Sequence, residues 1–374
     1  MLIQQKVVSL QIIMEDFSSY YPYEGQELKA AIQQLVESQY YLPLAAKLFP
    51  EYPPEELKQK ILDLADVDQF QSSVMIRACL YIIRNSMADF TYSGLENVGE
   101  KPCLFISNHR DITVDAIMTE YILISNQRKS SHVVIGSNLF EMPIMALMAR
   151  LNKMYPIGRG GNQKEFYNSL MAMSRYLRHI LTERHESAWI AQRNGRTKDG
   201  IDLTNPALIK MIAYSGNRHN PAQSLAEMNI VPISISYEWE PCGLLKAREV
   251  SLKRQGPYTK APGEDTQSIL SGISDFKGHV HLTFCQPLQM QELEAANGNY
   301  DTVAEIIDQR IYQNYHLWPN NYIAHELMTG ISHAEHYTDE EKQQFVQYLD
   351  KACQQYDIPG YRDTLVGIYG GALH

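Results

Sequence analysis

The sequence predicts an α/β fold: a central mixed, mostly parallel sheet with helices on both faces, flanked by helical segments at either end. Two observations carry this expectation. From about residue 100, short apolar runs alternate with helical stretches, the arrangement that lays strands side by side with crossover helices between them. Before residue 90 and after residue 301, apolar residues recur only at helical spacing. The expected parts are a helical region over 1–95, an α/β region over 96–290 and a helical region over 291–374.

The YYPYEG run and Asp16 before it read as a loop. Helices come next over 24–41, 54–67 and 69–87, with Pro53 and Pro54 opening the second. Strands are expected at 103–107, 132–137, 187–191, 230–237 and 279–284, with a strand-like KMYPI at 153–157. Helices are expected between them at 115–127, 141–151, 163–184 and 205–216. Asn162 with Glu165, and Thr338 with Glu341, are spaced as capping boxes, in which a side chain and a backbone N–H satisfy each other at a helix start. Helical spacing returns over 300–315 and 338–356.

Bulk properties narrow the function. With 374 residues, 44% of them apolar, the chain can bury a sizeable core. A net charge of −10 without a basic stripe argues against nucleic acid as a partner. Cys79, Cys103, Cys242, Cys285 and Cys353 are odd in number and never paired as Cys-x-x-Cys, so a disulfide framework and a zinc site are not indicated. A reducing cytoplasm fits. The N-terminal run lacks the basic start and small-residue cleavage site of a signal peptide, and no apolar run approaches the ~20 residues of a membrane-spanning helix. Contact with lipid is therefore expected to be peripheral, on the cytoplasmic face of a membrane.

Chemistry concentrates where the strand at 103–107 ends, the place where open α/β sheets bind ligands. His109 stands there beside Arg110, with Asp111 and Asp115 close behind. An imidazole oriented by a carboxylate is a general base for an attacking hydroxyl, whereas aspartates near a helix start also serve as plain caps. His-Arg-Asp also opens a kinase catalytic loop, but Ala116 stands where that loop needs Asn, and there is no Asp-Phe-Gly. Two later loops carry cations. Arg159 lies among Gly158, Gly160 and Gly161, and Arg193, Asn194, Gly195, Arg196 and Lys198 fall within six residues. Guanidinium forks match phosphate oxygens. A solvated turn pairing with Asp199 and Asp202 is the plainer alternative for the second loop. A base at one strand end and cations at the next two point to a hydroxyl substrate that also carries phosphate. The Met- and Leu-rich stretch at 138–154 is a candidate wall for an apolar channel, and the helix at 74–87, with Arg77 and Arg84 on one side, is a second candidate for facing a bilayer. Both also read as ordinary core.

In this order the pieces resemble the glycerolipid acyltransferase superfamily, which includes glycerol-3-phosphate and lysophosphatidate acyltransferases. SNHRDITVD looks like its His-x4-Asp block, YPIGRGG like the block whose Arg contacts substrate phosphate, WIAQRNGRTKDG like the third block, and IVPISISYE, with Pro232, like the Val-Pro strand near the acyl channel. The resemblance implies acyl transfer from acyl-CoA or acyl-carrier protein to a phosphate-bearing alcohol, with no metal or organic cofactor. It makes His109 the base, and Arg110, Arg159, Gly160, Arg193, Asn194, Gly195, Arg196, Lys198 and Pro232 the substrate contacts. Family spacing puts the Asp at Val114, leaving Asp111 one choice and Asp115 the favoured one, at the helix start; Asp111 would then cap that helix. The third block has Asn194-Gly195 in place of Glu-Gly. A different amphiphilic acceptor, and a scaffold that binds lipid or phosphate without catalysis, stand as the alternatives.

Overall fold

A computed structural model describes residues 17–373, apart from Glu141 and residues 159–161. Its centre is a seven-stranded sheet in the order β1-β7-β6-β2-β5-β3-β4. The strands are β1 (Asp89–Ser93), β2 (Leu104–Ser107), β3 (His132–Gly136), β4 (Met154–Ile157), β5 (Ala188–Ala191), β6 (Ile230–Tyr237) and β7 (His279–Phe284). Every neighbouring pair is parallel except β6 with β7. This is the mixed, mostly parallel sheet that the alternation of apolar runs and helices predicts.

Parallel strands in the interior of a sheet are covered on both faces, so they read as continuous apolar runs. The Leu-Phe-Ile-Ser of β2 is buried at all four positions. Its side chains alternate between two cores. Leu104 and Ile106 pack with the helices Gln163–Thr182, Pro206–Tyr214 and Tyr300–Gln313. Phe105 packs on the other face with the helices Ile76–Ser86 and Val114–Ser125.

Strand order decides where a site can form. From β2 the chain crosses to β3 and β4 on one side, returns to place β5 between β3 and β2, then moves to β6 on the other side of β2. The carboxyl ends of β2, β3, β4 and β5 share one edge, because Ser107 pairs with Ala191 and Gly136 with Ile157 in parallel register. The loops after all four strands emerge together there. A crevice at such a reversal is the usual ligand position of an open α/β sheet.

Both expected capping boxes are present. Asn162 Oδ1 accepts from the Glu165 N–H at 3.0 Å, and Thr338 pairs with Glu341 in the same way. Other elements depart from the expectation. β1 carries no signal in the sequence, because Asp-Phe-Thr-Tyr-Ser is a mostly exposed edge strand without an apolar run. The helices Gly243–Gln255, Glu264–Ser274, Pro319–Thr329 and Tyr361–Gly370 are also additions to the expected set. Of the stretch 138–154, Leu139 lines the His109 cavity, whereas Leu147 and Leu151 of the helix Pro143–Leu151 join a cluster with Leu28, Ile32, Ile61 and Phe70 of the N-terminal helices. Nor does Ile76–Ser86 turn its apolar face to a bilayer, since Cys79 and Ile82 lie in the core and Arg77 pairs with Glu51 at 2.7 Å. Asp16 and the N-terminal run before it lie outside the described residues.

Phe105 is fully buried and meets the Phe284 ring edge-on at 5.8 Å. Phe105→Ala should lower stability by about 3–5 kcal/mol, as for other large-to-small core changes, read from urea unfolding midpoints.

Candidate active site

β2 ends at Ser107, and Asn108 anchors the turn beyond it. Its side-chain Oδ1 accepts from the Ile235 N–H at 2.9 Å and its Nδ2 donates to the Ile235 carbonyl at 2.9 Å, so the side chain pairs with β6 as a strand would. The next residue is His109, 8% exposed. Its Nδ1 lies 3.2 Å from Asp115 Oδ2. That oxygen also accepts the backbone N–H groups of Arg110 at 2.7 Å and Asp111 at 2.8 Å, and Oδ1 accepts the Tyr237 hydroxyl at 2.8 Å. Burial pushes the Asp115 carboxyl up, against the pull of the His109 hydrogen bond and charge. With Nδ1–H directed at this carboxylate, Nε2 is left as the acceptor nitrogen.

Asp111 takes a different place. Its Oδ1 accepts the N–H groups of Thr113 and Val114 at 2.9 and 2.8 Å, which makes it the cap of the helix Val114–Ser125. Its Oδ2 abuts Gly272, where a Cβ would come within 2.2 Å, so only glycine fits against it. The one-residue displacement from family spacing is thus absorbed by the turn 110–113, and the carboxylate against the imidazole is Asp115.

His109 lines a cavity of about 360 Å³. One wall is apolar: Val134 and Ile135 from β3, Leu170 and Met173 from the helix Gln163–Thr182, and Leu208 and Met211 from the helix Pro206–Tyr214. The polar end holds Arg193, Asn194, Gly195, Arg196 and Lys198. This loop is tied to the histidine loop by the Thr197 N–H donating to the His109 carbonyl at 2.8 Å. Gly195 sits at φ +82°, a left-handed conformation that favours glycine. Arg196 is 8% exposed, and its Nη1 has no hydrogen-bond partner among the described residues. A buried guanidinium nitrogen without a partner is costly, and the same side chain also interacts with the Cys242 thiol. Lys198 is different, because it is ion-paired with Glu249. Burial pushes the lysine ammonium below its usual range, whereas Glu249, despite its own burial, is held at about 2 by hydrogen bonds from Lys198 and Lys253.

Residues 89–236, which contain β1 to β6 almost entire, match the family model described as Acyltransferase. Over this α/β part the chain is thus similar to the acyltransferase family. No curated protein sequence matches the chain. Among solved structures it is similar to the 1-acyl-sn-glycerophosphate (LPA) acyltransferase PlsC from Thermotoga maritima, with 13% identity and a TM-score of 0.42, over 76% of this chain and 94% of that one.

Within the acyltransferase domain, two expected substrate contacts are corrected. Arg110 is 1% exposed and turned away from the cavity: Nη1 binds Asp202 at 2.9 Å, and Nε and Nη2 bind Glu240 at 3.1 and 2.8 Å. Its guanidinium serves the framework. Pro232 is buried in β6 and does not line the cavity, while its carbonyl accepts the Cys285 N–H at 2.9 Å. Asp111, expected among the catalytic carboxylates, caps a helix instead. Arg159 and Gly160 lie outside the described residues; Gly158 before them lines the cavity.

Three residues of the acyltransferase site escape a reading of the sequence. Tyr237 ends β6 on the same edge as His109, and a phenol hydroxyl closing a fully buried strand gives no signal of its partner in the sequence. Asp202 joins Arg110, Asn108 and Thr197, where the sequence suggests only a partner for loop cations. Lys260 lines the cavity from a Pro- and Gly-bearing stretch that offers no periodicity to read.

Removing a buried charge partner leaves the others uncompensated. Arg110→Ala should cost about 3–5 kcal/mol in urea unfolding, far more than Arg193→Ala on the half-exposed loop, which should stay within ~0.5 kcal/mol.

Proposed function

We propose that this acyltransferase moves a fatty acyl group from acyl-CoA or acyl-carrier protein to the hydroxyl of glycerol 3-phosphate or a related phosphate-bearing lipid precursor. The observation that carries the reading is the cavity itself: an Asp-oriented imidazole, apolar side chains suited to an acyl chain and the arginines Arg193 and Arg196, suited to phosphate, line one space.

In the proposed reaction Asp115 holds the imidazole with Nε2 open. Nε2 takes the proton of the acceptor hydroxyl as its oxygen bonds to the thioester carbonyl carbon. The tetrahedral intermediate then expels the thiolate, and the imidazolium returns the proton to sulfur. Arg193 and Arg196 grip the acceptor phosphate, with Arg159 a third expected contact from the second loop, so the hydroxyl arrives already aligned. No metal or organic cofactor enters these steps. No described helix is long and apolar enough to cross a membrane, and we read the enzyme as reaching its lipid partners from a membrane's cytoplasmic face.

Thiol release from long-chain acyl-CoA in the presence of glycerol 3-phosphate tests the reading with a colour reagent. His109→Ala and Asp115→Asn should each lower turnover by about 10²–10⁴-fold, while Asp111→Asn should act on stability. Release that survives unchanged in His109→Ala defeats the mechanism. Tyr237→Phe should cost about tenfold, the worth of one donor to a charged group. It removes a group that stabilises ionised Asp115, so a carboxyl already raised by burial rises further. Because the pair works only with Asp115 ionised, the acid limb of the kcat/KM profile should move to higher pH in that variant.

A further inference from the structure

Two lining residues of the His109 cavity come from beyond residue 236, outside the segment that matches the acyltransferase family: Lys260 and Asp265. They pair with each other, Lys260 Nζ to Asp265 Oδ1 at 2.6 Å, with side chains 41% and 38% exposed. Lys260 rides on the strap between the helices Gly243–Gln255 and Glu264–Ser274. The strap is mostly exposed, and the Tyr258 hydroxyl donates to Glu264 within it. Lys260 therefore joins the cavity from an exposed strap, within electrostatic reach of Glu249, the partner of Lys198.

The charges at that end are unevenly matched. Lys198 is already neutralised by Glu249, which also pairs with Lys253 at 2.7 Å. Arg196 is buried and lines the cavity, with no ion pair among the described residues. Lys260 is paired with one half-exposed carboxylate and shares the field of Glu249 with two other lysines, and such a surface pair is weak because water screens both partners. A phosphate monoester near pH 7 carries more charge than a carboxylate and offers three acceptor oxygens. It can take the ammonium from Asp265 while the Arg196 side chain, which lines the same cavity, serves another oxygen.

We infer that Lys260 is the outer cation of a phosphate-monoester site whose inner cation is Arg196, with Asp265 holding the ammonium until substrate arrives. The inference rests on the reading of this cavity as the acyl-transfer site. Two substrates could present such a phosphate: the acceptor, or the nucleotide end of a CoA thioester. Either way Lys260 is a binding and specificity residue supplied from outside the family's segment.

The test uses the full chain with Lys260→Met and Asp265→Asn, both at exposed positions. Lys260→Met should raise one KM about tenfold, the loss of one charge-assisted contact, with kcat within about twofold. A rise in KM for glycerol 3-phosphate assigns the acceptor. A rise confined to acyl-CoA, and absent with an acyl-pantetheine thioester lacking nucleotide phosphates, assigns the donor. Asp265→Asn should lower the same KM. Wild-type turnover with neither KM moved by Lys260→Met overturns the inference and leaves the acyltransferase reading standing. A catalysis-independent arm separates the two further: calorimetric binding of glycerol 3-phosphate and of CoA to His109→Ala, with and without Lys260→Met. Weaker binding in the double variant upholds the phosphate site even if wild type transfers no acyl group, and equal binding refutes it.

Discussion

A carboxylate sealed from water persists only if its oxygens are filled, and Asp115 is filled four times over. Two loop N–H groups, the Tyr237 hydroxyl and the His109 imidazole all converge on it. The donors come from the turn after β2 and from the end of β6, and the acceptor from the first turn of the helix Val114–Ser125. The imidazole is aimed by the same contacts that make the buried charge tolerable. Orientation of the base and stability of the loop are one constraint.

Behind that loop a second buried group plays the supporting part. Arg110 and Lys246 face Asp202 and Glu240, two positive charges against two negative, all nearly inaccessible. Asp202 also receives Asn108 and Thr197, so the histidine loop and the cation loop share one anchor. The Glu240 N–H donates to the Tyr369 hydroxyl of the C-terminal helix Tyr361–Gly370, at 3.1 Å. A helix outside the family segment thereby braces the rear of the site. Such a cluster adds little net stability over an apolar core, because desolvation offsets most of the attraction, yet it tolerates few alternative arrangements. Two loops from different strand ends are held to one geometry by it.

Much of this is legible in the sequence where the information is local. An imidazole after a buried apolar run, a carboxylate on the first turn of the next helix, and capping boxes at three-residue spacing each depend on neighbours in sequence. The choice of Asp115 over Asp111 comes from the helix start together with the place of the Asp in the resembled family, and it is Asp115 that lies against the His109 ring. The rest depends on distant partners. Arg110 looks like any loop arginine until Asp202 and Glu240, 92 and 130 residues away, are found beside it. β1 escapes notice because an edge strand paired on one side only needs no apolar run. The Met-rich helix Pro143–Leu151 carries the right composition for a channel wall, but composition does not say which neighbour a helix face meets; here it meets the N-terminal helices.

The cation loop shows the same limit in its electrostatics. Three cations within six residues suggest one phosphate clamp, each contributing alike. Folding makes them unequal. Lys198 is quenched by Glu249, Arg193 stays half in water, and Arg196 is desolvated with a donor unused. A desolvated cation without an acidic partner acts on its surroundings more strongly than one screened by water or already paired. Which of the three cations is left in that state is decided by packing.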